Sequence, residues 1–168
     1  KKFAYEDGVD GHTVDEEGRK CLFIPAHSQV VIDYEALASV GSGKSLEFTY
    51  KVRNVADYSE PIITICDNPQ SSTFKGIRIN PTNILLHSRD LNKSDLTQGI
   101  DVNDEETIHC IITIIRNYKV TYGNLAQIYI NGTKARSFEF ATNDDWTTSA
   151  KIILGSNSSD LYVYSIKD

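Results

Sequence analysis

Between Ser45 and Arg53 the chain alternates without a break: Leu46, Phe48, Tyr50 and Val52 fall on one side, Ser45, Glu47, Thr49, Lys51 and Arg53 on the other. A two-residue period is that of a β-strand with one face in a core and the other towards water. The stretch 106–116 repeats the pattern and reads as the longest strand, with Ile108, Cys110, Ile112 and Ile114 opposed to His109, Thr113 and Arg116. Shorter strand candidates are 20–24, 29–33, 74–80, 83–87, 126–130, 133–140, 150–154 and 160–166, and 62–66 reads as a fully buried strand. Over 160–166, alternation puts Tyr162, Tyr164 and Ile166 on one face and Leu161 and Val163 on the other. Turn residues separate the segments, among them Gly41-Ser42-Gly43, Asp67-Asn68-Pro69 and Gly155-Ser156-Asn157. Asn131-Gly132 between two alternating runs predicts a tight type I′ hairpin. Only 34–37 reads as a single helical turn. Many short strands with turn signals between them predict an all-β fold, a two-sheet antiparallel β-sandwich.

Composition narrows the setting. With 168 residues, 40% apolar and 24% charged, the chain fits one globular domain with a substantial core. A net charge of −6 speaks against binding nucleic acid by neutralising phosphates. No apolar run approaches the roughly 20 residues of a membrane-spanning helix. The chain opens Lys1-Lys2-Phe3 and contains no Met, which leads us to expect a processed chain or a domain excised from a larger protein. Residues 1–20, rich in Gly, Asp and Glu, read as an extended N-terminal arm with at most one short strand. Cys21, Cys66 and Cys110 all sit inside apolar strands. An odd count at such positions predicts buried free thiols, packed as small hydrophobes. Reduced cysteines fit a reducing compartment.

The order of motifs carries a family likeness. An alternating strand SLEFTYKV is followed by GIRINPTNILLHS and by a strand opening near a histidine, ETIHCIITIIRN. An Ile-Asn-Gly hairpin, IYINGTKARSFEF, and the ending KIILGSNSSDLYVYSIKD complete it. From Ser45 to Asp168 the chain resembles the laminin G-like and concanavalin A-like jelly rolls, most of all those of Bacteroidales surface proteins and of phages infecting these bacteria. The resemblance implies a jelly roll that engages glycans, proteins or calcium through its loops or a sheet face. Hydrolases of that fold carry a Glu-x-Asp-x-x-Glu strand. Here Glu47 and Glu139 have no second glutamate at the needed spacing. The chain is therefore expected not to be an enzyme, but a binding or adhesion module of a larger extracellular surface protein. A structural or receptor-facing domain of a phage particle is the alternative, and a glycoside hydrolase is disfavoured.

Candidate site residues are few. Trp146 is the only tryptophan and lies beside Asp144 and Asp145 in a polar loop. An aromatic face with nearby carboxylates is what a sugar ring and its hydroxyls use; the alternative is that Trp146 plugs one end of the sandwich. Asp101, Asp104 and Glu105, with Asn103 and Glu106, form the densest set of oxygen ligands. Calcium is the cation such a set would take, although the glycine of an EF-hand loop is missing and solvated acidic loops are common. The tyrosines of the final strand, Tyr162 and Tyr164, mark a second ligand surface. His12, His27, His87 and His109 show no ligand spacing. His109 and Cys110 do not form a catalytic pair, because neighbours on a strand point to opposite faces.

Overall fold

The computed structural model describes residues 12–34, 39–40, 43–66, 75–87, 94–95, 106–118, 123–140 and 150–167. Fourteen strands run through these residues, and none of the residues is helical. The larger sheet has, side by side, β1 (His12–Val14), β2 (Lys20–Ile24), β14 (Asp160–Lys167), β5 (Gly43–Arg53), β10 (Ile108–Arg116), β11 (Asn124–Ile130) and β12 (Thr133–Phe140). The short β4 (Ser39–Val40) joins β10 in parallel. The smaller sheet is ordered β3 (Val30–Tyr34), β13 (Ala150–Leu154), β6 (Ile63–Cys66), β7 (Gly76–Ile79), β8 (Ile84–His87) and β9 (Ser94–Asp95). Every other pairing within the two sheets is antiparallel. Tyr34 ends β3, while the rest of the expected helical turn lies outside the described residues.

Alternation sets the core. Leu46, Phe48, Tyr50 and Val52 of β5 pack with Ile108, Cys110, Ile112 and Ile114 of β10 and with Ala126 and Ile128 of β11. The smaller sheet meets them with Ile63, Ile65, Ile77, Ile79, Ile84, Ile152 and Leu154. β-branched side chains dominate because they suit a pleated, half-buried surface. At the Asn131-Gly132 turn both φ angles are positive, 49° and 82°, as a type I′ turn requires. Cys21, Cys66 and Cys110 are free and buried.

Two expectations change. The longest strand is β5, with 11 residues, not β10, with 9. On β14, Ile166 does not share a face with the tyrosines. A register shift between Val163 and Ser165 inserts one extra residue against β5. After this bulge the alternation is offset, so Ile166 joins Leu161 and Val163 in the core, while Tyr162 pairs with Lys51 and Phe23 outside.

Candidate functional site

The polar positions of the alternating strands converge on the outer face of the larger sheet. Thr49 pairs with His109, Lys167 with Glu47, Ile111 with Tyr129, and Thr113 with Gln127. Their side chains are half-buried, apart from the more exposed Lys167. The hydroxyls of Ser45 and Thr113 are 2.8 Å apart and tie β5 to β10 further along.

At the centre of this face stands a hydrogen-bonded carboxylate and imidazole. Glu47 Oε1 is 2.6 Å from His109 Nε2 and 3.7 Å from Lys167 Nζ. The imidazole hydrogen bond, helped by the Lys167 charge and opposed by desolvation, holds the Glu47 carboxyl below its usual range. A neutral imidazole bonded in this way donates Nε2–H to the carboxylate, which leaves the Nδ1 lone pair as a proton acceptor. The hairpin turn holds the histidine's backbone: His109 N donates to Asn131 Oδ1 at 2.9 Å, and Asn131 N donates to His109 O at 2.8 Å. A carboxylate-oriented imidazole on a rigid sheet has the equipment for general acid–base chemistry.

One side of the open face is bounded by the turn from β1 to β2. Asp15 Oδ1 accepts the backbone N–H groups of Glu17 and Arg19, both at 2.9 Å. Its Oδ2 accepts Arg19 Nε at 2.7 Å and the Tyr164 hydroxyl at 2.8 Å. Burial pushes this carboxyl up, but the hydrogen bonds outweigh burial and hold it well below its usual range. Burial and the bond to Asp15 push the Tyr164 phenol up. Arg19 lies over the Tyr164 ring, 4.5 Å from its centroid, and donates to Thr107 Oγ1 at 3.1 Å. Thr107 leads into β10, three strands from β2, so the turn leans over β14 and β5 to make that bond.

The residues singled out from the sequence fare unevenly. Asp144, Asp145 and Trp146, and likewise Asp101, Asp104 and Glu105, lie outside the described residues. Among the described residues no cluster of three or more His, Cys, Asp and Glu side chains is arranged to hold a metal. Tyr162 and Tyr164 do stand on the outer face, and the strand order adds Tyr129 to it. Cys110 is buried, its thiol pushed up to about 12 by desolvation, and it faces away from His109. The Glu47–His109 pair was missed. Both residues occupy polar positions of strongly alternating strands, and that was the only signal available.

No family model matches the chain, and no curated protein matches it by sequence. Several solved structures share the fold. The conserved carbohydrate esterase of Shiga toxin-encoding bacteriophage phi24B aligns with a TM-score of 0.60 at 14% identity, over 92% of this chain and 84% of the esterase chain. A family 7 alginate lyase, A1-II′, solved as a double variant with bound substrate, aligns at 0.61 and 12%, over 97% and 82%. The receptor-binding domain of botulinum neurotoxin D aligns at 0.62 and 14%, over 94% of this chain but 42% of the toxin chain. These likenesses correct the expectation that the chain is not an enzyme. Lyases and an esterase use this sandwich, and a missing Glu-x-Asp-x-x-Glu strand speaks only to one hydrolase chemistry. Identities of 12–14% carry the fold and nothing finer. By fold, the chain is a β-sandwich jelly roll similar to carbohydrate-acting enzymes and to a toxin's receptor-binding domain alike.

Proposed function

We propose that the chain is a carbohydrate-engaging domain whose ligand lies across the outer face of the larger sheet, between the Asp15–Arg19 turn and β11. The observation that carries this reading is the make-up of that face. Glu47, Thr49, His109, Thr113, Gln127 and Tyr129 stand half-buried on adjacent strands. Carboxylate, hydroxyl and amide groups there can exchange hydrogen bonds with sugar hydroxyls, and a tyrosine ring can pack on the apolar side of a pyranose. The carbohydrate-acting neighbours support the ligand class. The phage source of one neighbour and the three free thiols support a virus-particle setting beside the cell-surface one.

Titration with neutral and acidic oligosaccharides, followed by backbone amide NMR shifts, tests the proposal. Shifts should cluster on β5, β10 and β11. Tyr129→Ala should weaken binding about tenfold, or ~1.4 kcal/mol, with little change in the thermal midpoint. Shifts confined to the smaller sheet, or none at all, would overturn it. The Glu47–His109 pair favours a second reading, acid–base turnover of the bound glycan. His109→Gln should then stop the formation of chain-shortened products while binding persists.

A further inference from the structure

Lys51 lies between the core residues Tyr50 and Val52, so its side chain rises from the outer face, yet the residue is only 2% exposed. Lysine is seldom this buried unless it is paired. Among the described residues no oxygen accepts from Lys51 Nζ; the ammonium instead lies over the ring of Tyr162, 5.3 Å from the centroid. Arg53, two positions along the same face, has its guanidinium 6.0 Å from the same centroid. One arm of Arg53 is paired with Glu16, but its Nε is buried and finds no acceptor among the described residues. The neighbouring cations are balanced: Arg19 by Asp15 and Glu17, and Lys167 by Glu47.

We propose that Lys51 Nζ and the partly exposed Arg53 guanidinium form a subsite for one oxyanion, a carboxylate or sulfate ester carried on the carbohydrate ligand. Tyr162, whose far side is packed by Phe23 at 4.8 Å, is the rigid wall of this subsite. Lys51 is two residues along β5 from the Thr49–His109 pair, about 7 Å by strand rise. A single oligosaccharide can therefore reach both places. The inference rests on the carbohydrate reading above and adds to it that the ligand is anionic.

The test uses the intact chain and calorimetric titration with four probes: oligogalacturonate, its neutral methyl ester, a sulfated heparin oligosaccharide, and sodium sulfate alone. An acidic oligosaccharide should bind at least tenfold more tightly than the methyl ester, and Lys51→Met should erase that preference. Lys51→Met removes the charge while keeping the stem's volume, so the thermal midpoint should hold; should this variant fail to fold, Lys51→Gln takes its place. Equal binding of charged and neutral probes, unchanged in the variant, would overturn the subsite and leave the carbohydrate reading standing. Binding of sulfate alone, lost in the variant, with no oligosaccharide bound, would keep the anion site and overturn the carbohydrate reading. If no probe binds, both fall.

Discussion

Asp15 shows how much one side chain can organise. Its two oxygens take four donors, two from the backbone of its own turn and two from Arg19 and Tyr164. The turn is thereby closed on itself and pinned to the sheet face. Because the folded-state pKa is depressed, the stabilisation is fully present above the ordinary value of 3.8 and fades as pH falls below it. We therefore expect Asp15→Asn to be less stable than the wild type at pH 7, with the gap narrowing towards pH 2.5. Urea titrations of both proteins across that range measure the gap; a constant difference would mean that the charge of Asp15 contributes nothing. Glu47 titrates with the same sign, since its carboxylate is also held ionised, here by His109 first and Lys167 after it.

Among the elements, small departures from regular strands decide where side chains go. The extra residue in β14 moves Ile166 to the core and leaves both tyrosines outside. Alternation read from the sequence is correct up to the bulge and reversed after it, so Ser165 and Ile166 take the faces opposite to those that strict alternation assigns. The connection from β13 to β14 depends on a different device. Gly155 has φ 111°, and a Cβ there would sit 2.3 Å from Ser28 O and 2.9 Å from Ile24 Cγ2. Its N–H also donates to Ile62 O at 2.9 Å. Neither the backbone angle nor the space admits a side chain. Gly155→Ala should cost at least about 2 kcal/mol and lower the thermal midpoint by roughly 4–8 °C in a domain of this size. A scanning-calorimetry midpoint within one degree of the wild type would contradict this.

At the scale of the molecule, the inner faces of the two sheets form one apolar core, and each outer face is left to meet solvent, chain or ligand. The three thiols belong to this arrangement: Cys110 lies in the shared core, while Cys21 and Cys66 are buried outside it. Thiol titration in denaturant without reductant should count three, and a count of one would mean that two of them pair in solution. Enzymes and a receptor-binding domain use similar sandwiches, so what this chain does depends on the residues that its outer face presents.

The period of two along β5 and β10 is a local property of an extended backbone. It was enough to determine that the domain is all-β, which residues of those two strands enter the core, and that Asn131-Gly132 turns a hairpin. Strand order is not local, since it follows from pairing preferences and core volume summed over the whole chain. Only the tertiary structure could set Glu47 against His109, 62 positions away, lean Arg19 across to Thr107, 88 positions away, and leave Lys51 buried against Tyr162. Apart from Tyr162, which the sequence already marks as part of a second ligand surface, these residues read in the sequence as ordinary polar positions facing water. Whether such a position stays one depends on which strand lies next to it and on what folds over that strand. For that reason the core was legible along the regular strands, up to the bulge in β14, and the Glu47–His109 pair was not.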